Sequence, residues 1–263
     1  LVEPVQVSEP NYFFRMSRYQ DALRRHIESN PDFIRPEGYR NEALAMLREP
    51  LDDLCISRPK TRLSWGIEIP FDRDYVTYVW FDALLNYPSG LDRAGRMELW
   101  PETHHFIGKD ILKTHAVFWP TMLLAAGLPL FRHLDVHGFW SSGGQKMSKS
   151  LGNVVQPLEM RDRYGMDTLR YFLLREMSFG QDADFTEAAL IGRRNSDLAN
   201  GLGNLASRTL AMSKKWFEGA VQPIEPREAV DLDLERAFAR ARTELEEHVL
   251  GLAFHRALES LWR

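Results

Sequence analysis

The stretch HHFIGKDILKTHAVFWPTMLLAAG at residues 104–127 decides the fold class of this chain. Its first five residues, HHFIG, predict a strand. Asp110 is a candidate helix cap, and the apolar spacing of Ile111–Ala126 predicts a helix that Pro120 kinks and Gly127 ends. A strand followed at once by a capped helix is typical of a parallel sheet covered by helices, so the sequence predicts an α/β fold.

Two further stretches have the same pattern. Tyr75–Phe81 (YVTYVWF) predicts a buried strand, with Asp82 capping a helix that begins at Ala83–Tyr87. His133–Trp140 predicts a third strand, which leads into a glycine-containing loop. Because open α/β folds bind ligands at the carboxyl edge of the sheet, we expect the functional site at these strand ends.

The pattern changes near residue 180, after which strands are no longer predicted. Thr186–Phe217 and Asp231–Arg263 have apolar residues at helical spacing, and the proline-containing segment Gly219–Pro226 joins them. This predicts a helix pair or the start of an α-helical bundle. We expect the apolar stripe of the first helix to be buried; its members are Leu198, Leu202, Leu205, Met212 and Trp216.

Composition excludes several function classes. With 33 Lys and Arg against 37 Asp and Glu, the net charge of −4 argues against a general polyanion binder. The single cysteine, Cys55, excludes an internal disulfide and a cysteine-based zinc knuckle, and favours a cytoplasmic location. The most apolar run, Ala116–Phe131, is interrupted by prolines and is shorter than the ~20 residues of a membrane helix.

Histidine spacing predicts no metal site. His104 and His105 are adjacent, so on a strand their side chains point to opposite faces. His133 and His137 share a strand face but have no third ligand nearby in the sequence. We therefore expect no zinc site within these residues.

The most informative motif is KMSKS at 146–150, which follows Gly143-Gly144 and precedes Leu151-Gly152-Asn153. Lys146 and Lys149 on either side of Ser148, in a glycine-flanked loop, suit a mobile cationic clamp on a polyphosphate. A solvated turn with ordinary surface lysines is the alternative that composition alone leaves open. The sequence GKD at 108–110 is not a phosphate-binding P-loop, because the upstream glycine and the Ser or Thr are missing.

These motifs resemble class I aminoacyl-tRNA synthetases. KMSKS followed by LGN resembles the second signature of that class, which leucyl, isoleucyl, valyl and cysteinyl enzymes share. The methionyl-tRNA synthetase family, in its bacterial branch, is the one whose other motifs the chain resembles: YVWFDALLNY (78–87), HFIGKDILKTHAVFWP (105–120), VHGFW (136–140) and GLGNLASR (201–208). Leu84 stands where some members have proline, and the first class signature, HIGH, is absent from these 263 residues.

The resemblance implies a set of substrate contacts. For methionine these are Trp80, Ala83, Tyr87, Ile111 and His115, which would form a long apolar slot with sulfur–aromatic contacts. Ala83 and Tyr87, like Ile111 and His115, are i, i+4 pairs, which places each pair on one helix face. For each aromatic residue taken alone, ordinary core packing is the alternative.

For ATP, which carries Mg²⁺, the resemblance implies Glu68, Gly108 and Asp110 near the ribose and His137 near the adenine. Arg58 resembles a family arginine close to the active site. Lys149, helped by Lys146 and with Ser148 between them, would stabilise the departing pyrophosphate. Asn204 and Arg208, at i, i+4 spacing, would read the anticodon of tRNA(Met), whereas without the resemblance they are solvated helix residues.

The implied activity is attachment of methionine to tRNA(Met) through methionyl-adenylate. The implied domains are residues 1–15 as the end of a connective insertion, 16–180 as the second half of a Rossmann-like catalytic domain, and 181–263 as the first part of a helical anticodon-binding domain. We expect little or no adenylation from these residues alone, since the HIGH half is missing. The alternatives are a catalytically silent RNA-binding or dimerisation module and a class I synthetase for another amino acid. No membrane contact is expected, and the oligomeric state is left open.

Overall fold

The computed structural model of the protein describes residues 9–221 and 227–262. The chain forms two compact units, and the border between them falls after Val136. This border differs from the one expected near residue 180, where the sequence pattern changes, and the expected domain boundaries stay predictions. The expected N-terminal segment, 1–15, lies partly outside the described residues.

The first unit contains eight strands and five α-helices among its described residues, with short 3₁₀ turns between them. In chain order they are β1 (Phe13–Phe14), α1 (Gln20–Ser29), β2 (Ile34–Arg35), α2 (Glu37–Met46), β3 (Leu54–Cys55), β4 (Ser57–Pro59), β5 (Glu68–Ile69), β6 (Asp72–Thr77), α3 (Val79–Ala83), α4 (Asn86–Arg93), β7 (His104–Gly108), α5 (Trp119–Ala126) and β8 (His133–His137).

A three-stranded sheet in the order β2, β8, β7 confirms the predicted parallel sheet. β2 and β8 run parallel, with Ile34 opposite Leu134. Burial alternates along β7, where His105 and Ile107 are buried, whereas three consecutive residues of β8, Leu134, Asp135 and Val136, are buried. Strand alternation thus fixes which side chains of HHFIG point inward.

The prediction for Tyr75–Phe81 is wrong in two respects. The strand β6 ends at Thr77 and lies between β4 and β5 in an antiparallel sheet. Val79–Ala83 is already helical, so Trp80 lies on a helix, and Asp82 is inside that helix while Tyr78 occupies the cap position. A short apolar run does not distinguish a strand from a buried helical turn, which explains the error.

The helix after β7 is longer and less regular than predicted. It begins as a 3₁₀ turn at Lys109–Ile111 with Gly108 at the cap position, and Asp110 makes no capping hydrogen bond. A π-helical turn, Thr114–Phe118, precedes α5. Pro120, which has no N–H to donate to the preceding turn, is the second residue of α5, and the expected kink there stays a prediction. Gly127 ends the helix with a φ of 68°, as predicted.

The second unit contains three strands and six α-helices among its described residues. In chain order they are β9 (Trp140–Ser142), β10 (Gln145–Lys146), α6 (Pro157–Tyr164), α7 (Met166–Glu176), β11 (Ala183–Phe185), α8 (Glu187–Arg193), α9 (Asn204–Phe217), α10 (Ala229–Leu250) and α11 (Phe254–Ser260).

The predicted strand His133–Trp140 is two strands. β8 ends at His137, and Trp140 begins β9, which pairs with β10 antiparallel and with β11 in parallel. Gly138 lies between the two strands, where a Cβ atom would stand 2.2 Å from the Gln181 carbonyl oxygen. The chain can pass this point only because residue 138 has no side chain.

Thr186–Phe217 is helical as predicted, with the Thr186 hydroxyl accepting a hydrogen bond from the Ala189 N–H. A long π-helical segment, Arg194–Gly203, separates α8 from α9. The second predicted helix begins at Ala229 and breaks after Leu250, before α11. The joining segment Gly219–Pro226 falls partly outside the described residues.

The predicted buried stripe of the first helix is wrong for the described chain. Leu202, Leu205 and Trp216 are each more than half exposed, and Met212 is 45% exposed. An apolar stripe becomes buried only where another element packs against it, and sequence spacing alone does not supply that partner. Within the described ranges, the helices include none that is both long and apolar enough to cross a membrane.

Candidate functional site

A cluster of rings in the first unit brings together the main residues of the expected methionine slot. We call it the aromatic cluster; its members are Trp80, Tyr87, His105, His115 and Trp119. Tyr87 is its centre, with ring centroids 4.2 Å from His105, 5.8 Å from His115 and 6.2 Å from Trp119. The Trp80 ring meets the His115 ring edge-on at 6.2 Å. Separate elements therefore supply rings to one place.

Hydrogen bonds fix the orientation of both histidines. His115 Nδ1 lies 3.1 Å from the Ile111 carbonyl oxygen, which can only accept, so Nδ1 carries the proton. Nε2 then accepts from the Tyr87 hydroxyl at 2.9 Å. His105 Nε2 accepts in the same way from the Trp119 indole N–H at 3.3 Å.

Burial keeps the aromatic cluster uncharged near neutral pH. His105 is 3% and His115 1% exposed. Burial lowers the pKa of His115, while its bond to the Ile111 carbonyl opposes that shift. Burial, with a smaller effect of His115, lowers the pKa of His105 to about 4. A neutral site lined by aromatic rings suits an apolar thioether side chain better than a charged one.

Not every expected slot residue joins the aromatic cluster. Ile111 packs on the same core and holds His115 through its carbonyl. Ala83 is exposed at the end of α3, and a turn at Leu84–Leu85 separates it from Tyr87 in α4. Ala83 and Tyr87 therefore belong to two separate helices, and the expectation that they share one face stays a prediction.

Sequence reasoning missed His105 and Trp119 as members of the aromatic cluster. Two signals could have found them. Alternation along β7 turns His105 inward when His104 points outward, and Trp119 follows His115 by four residues, one helical turn later.

The residues expected near the ribose lie at different places in the first unit. Gly108 ends β7, and Asp110 follows it with an exposed side chain, so both stand at the carboxyl end of that strand as expected. Glu68 lies on β5, where it is exposed and pairs with Lys60 and, at 3.9 Å, with Arg73. The hydrogen bond from Lys60 lowers the pKa of Glu68.

Arg58 is held by local contacts on β4. Its Nη1 donates to the Ser57 carbonyl at 2.7 Å and lies 3.2 Å from Cys55 Sγ. Its guanidinium sits 4.6 Å from the centre of the Tyr78 ring. Arg58 and Tyr78 line a cavity of about 350 Å³ next to the start of α3. Arg58 is thus a fixed positive charge and not a free surface arginine.

The two lysines of KMSKS lie in the second unit, on a loop that we call the lysine loop (Lys146–Asn153). Gly143 and Gly144, with φ of 60° and 75°, make the tight turn that joins β9 to β10. Lys146 ends β10, and Lys149 begins a 3₁₀ turn. Both lysines are exposed, and the Ser148 and Ser150 hydroxyls are 2.7 Å apart.

Asp184 holds the turn at the base of the lysine loop. One of its carboxylate oxygens accepts from the Gly144 N–H at 2.8 Å and from the Ser141 hydroxyl at 2.6 Å. These bonds lower the pKa of Asp184, with the Ser141 bond the larger cause. The glycine turn is therefore anchored to β11.

His137 also lies in the second unit, where it ends β8. Its Nδ1 donates to the Gly138 carbonyl at 2.7 Å. It lines a cavity of about 260 Å³, together with Trp140, Phe179 and Phe254. An imidazole and two kinds of apolar ring around one cavity can bind a flat heteroaromatic group.

Asn204 and Arg208 lie on the regular α-helix α9, both exposed. The spacing of four residues places them on one face, as predicted. An exposed amide beside a guanidinium can hydrogen-bond to unpaired bases.

No set of three or more His, Cys, Asp or Glu side chains within 9–221 and 227–262 is arranged to hold a metal ion. The His104 imidazole instead lies 3.2 Å from the buried Asp135 carboxylate, which Arg35 also binds at 2.7 Å. The expected absence of zinc stays a prediction.

Residues 2–210 match the family described as tRNA synthetases class I (M). The methionine–tRNA ligase of Fusobacterium nucleatum is 45% identical over 98% of this chain, and that of Deinococcus radiodurans is 51% identical over 93%. A crystal structure of Mycobacterium tuberculosis methionyl-tRNA synthetase bound by methionyl-adenylate matches 97% of the chain with a TM-score of 0.91 and 44% identity.

These relatives are much longer than the chain. It spans 41% of the Fusobacterium protein, 36% of the Deinococcus protein and 50% of the Mycobacterium one. Since the family match covers most of the chain and the fold agrees with that of a solved member, the chain belongs to the methionyl type of class I tRNA synthetases.

Proposed function

We propose that the complete protein containing this chain attaches methionine to tRNA(Met). The observation that carries the proposal is the neutral aromatic cluster, in which Trp80, Tyr87 and His115 meet. Its rings can contact a long unbranched thioether from the side, and the buried neutral histidines supply no opposite charge that would offset the cost of burying a charged side chain. Ile111 and Ala83 are proposed as further contacts of the methionine side chain.

The proposed reaction has two steps. The methionine carboxylate attacks the α-phosphate of ATP, a carboxyl–phosphate bond forms, and the bond to the β-phosphate breaks to release pyrophosphate. A ribose hydroxyl at the end of the tRNA then attacks the carbonyl carbon, and AMP leaves. The first nucleophile is already ionised near neutral pH, so positioning and charge neutralisation supply the rate enhancement.

We assign the phosphate end of this reaction to the lysine loop. Lys149, helped by Lys146, neutralises the charge that builds up on the leaving pyrophosphate, and Mg²⁺ arrives with ATP as part of the substrate. Ser148 lies between them and bonds to Ser150. Glu68, Gly108 and Asp110 are proposed for the ribose and His137 for the adenine, with Arg58 as a nearby fixed cation.

We assign tRNA binding to the face of α9 that carries Asn204 and Arg208. Asn204 and Arg208 would hydrogen-bond to the unstacked anticodon bases. Ala substitutions at these two positions should lower the aminoacylation rate of tRNA(Met) and leave adenylate formation unchanged. Lys214→Ala, in the last turn of the same helix, is a matched control that should change neither rate. We place this function in the cytoplasm.

Pyrophosphate exchange tests the proposal. The complete protein should exchange pyrophosphate into ATP with methionine, and not with leucine, isoleucine, valine or cysteine. Exchange with one of those amino acids instead would identify a different class I synthetase, and no exchange with any would favour an RNA-binding module. The chain alone, without the HIGH half, should show little or no exchange.

A further inference from the structure

The lysine loop folds back on itself through one side chain, that of Asn153. Gly152, with a left-handed φ of 65°, turns the chain so that residue 153 faces the start of the loop. The Asn153 Oδ1 accepts from the Ser148 N–H at 2.8 Å. Its Nδ2 donates to the Lys146 carbonyl oxygen at 3.1 Å. One amide thus bridges two backbone groups of KMSKS.

These two bonds lie next to the backbone of both lysines. One bond is accepted by the carbonyl oxygen of Lys146 itself. The other is donated by the N–H of Ser148, the residue directly before Lys149. Both lysine side chains are exposed, and the Lys146 ammonium lies 5.7 Å from the centre of the Phe139 ring. Beyond that ring contact, the position of each ammonium group depends on the backbone from which its side chain projects, and Asn153 holds that backbone.

We propose that Asn153 is a positioning residue that sets the spacing of Lys146 and Lys149 for binding a polyphosphate. The inference deepens the proposed function and rests on it. Lysine tolerates movement of its phosphate because it is a flexible point charge, so the loop backbone has to supply the geometry. A clamp with its two charges at a fixed spacing needs less ordering when the polyphosphate binds.

The chemistry of the amide explains why asparagine fits here. The Ser148 N–H needs an acceptor and the Lys146 carbonyl needs a donor, and an amide supplies both. An aspartate would keep the first bond but place a negative oxygen against the carbonyl. An alanine would lose both bonds.

Kinetics of the complete protein test this role. Asn153→Ala should lower the pyrophosphate-exchange rate about tenfold, as expected from the loss of two neutral hydrogen bonds. The KM for methionine should not change. The exchange rate of Asn153→Asp should lie between the rates of Asn153→Ala and of the native protein. Gln145→Ala, an exposed change on β10 next to the loop, is the control and should have the native rate.

A double-mutant cycle separates positioning from a general effect on folding. If Asn153 acts through the lysines, Asn153→Ala should lower the single-turnover rate less than about twofold when both lysines are already alanine. An equal tenfold loss of single-turnover rate, with both lysines present and with both replaced by alanine, would overturn the proposal. So would a native rate for Asn153→Ala in the otherwise unchanged protein.

A second measurement does not depend on the proposed activity. In the complete protein, trypsin should cleave after Lys146 and Lys149 several-fold faster in Asn153→Ala than in the native protein. The concentration of inorganic tripolyphosphate that halves the cleavage rate should be about tenfold higher for Asn153→Ala than for the native protein. If native exchange is absent but this difference is found, the proposed function fails while the clamp stands; equal cleavage and equal protection would overturn the clamp.

Discussion

The aromatic cluster and the lysine loop are built in opposite ways. The aromatic cluster takes its rings from α3, α4, β7 and the π turn with α5, and its histidines are almost completely buried. The lysine loop is eight consecutive residues, mostly exposed, with its own hydrogen bonds spanning at most seven positions. The proposed substrate selection by the cluster would therefore depend on the integrity of a core, whereas the proposed phosphate binding by the loop would depend on local geometry.

The largest loss of stability is expected when a ring is removed from the aromatic cluster. Trp119→Ala leaves a cavity at a site that is 1% exposed and removes the donor to His105. We expect the free energy of unfolding to fall by about 3–5 kcal/mol. Urea denaturation of the complete protein measures it.

The matched change on the lysine loop is Leu151→Ala, at a site that is 65% exposed. It should alter the free energy of unfolding by no more than about 0.5 kcal/mol. Similar losses for the two variants would contradict the distinction between a core-dependent and a locally built region.

Lys149→Ala tests the other side of the comparison. It should lower the rate of adenylate formation by about 10²–10³-fold, because the proposed role of this charge is to stabilise mainly the transition state. Methionine affinity and the free energy of unfolding should stay at native values. Lys214→Ala, an exposed lysine of α9, is the control in the same assay. A loss of methionine affinity equal to the loss of rate would show that Lys149 acts on the ground state.

The stability that the aromatic cluster contributes should also depend on pH. The pKa of His105 is about 4 in the folded protein, below its ordinary value of 6.5. Between these values the unfolded chain binds a proton that the folded chain does not, so stability falls as the pH drops from about 6.5 to about 4. The full loss from this group is about 3 kcal/mol. The lowered pKa of His115 adds to it with the same sign.

Denaturation midpoints between about pH 7 and pH 4.5 check this expectation. His105→Phe removes the titrating group, keeps a ring beside Tyr87 and should make the pH dependence shallower. An unchanged slope would show that His105 is not buried as a neutral imidazole in solution.

The same contrast explains what the sequence could predict. Local signals identified the strand β7, the end of its helix at Gly127 and the lysine loop, because each follows from a few adjacent residues. Helical spacing also placed Asn204 and Arg208 on one face. These features need no knowledge of distant contacts.

Features that depend on tertiary packing were missed. The boundary between β6 and α3 lies inside one apolar run, whose residues suit either structure. The π turns at Thr114–Phe118 and Arg194–Gly203 have no periodicity signal of their own. The contact of Tyr87 with His105 joins residues 18 positions apart, which only the packed core brings together.

The smallest effect expected from a change within the aromatic cluster comes from one oxygen atom at its centre. Tyr87→Phe keeps the ring but removes the hydroxyl that His115 Nε2 accepts from. We expect about 1–3 kcal/mol of lost stability, since a buried acceptor is left without a donor. Methionine should bind less tightly while the KM for ATP is unchanged, because the freed imidazole can rotate away from its bond to Ile111. Tyr75→Phe on β6, outside the aromatic cluster, is the control. If methionine binds equally well to both variants, the hydroxyl is a packing feature of the core, and the slot selects its side chain by ring shape alone.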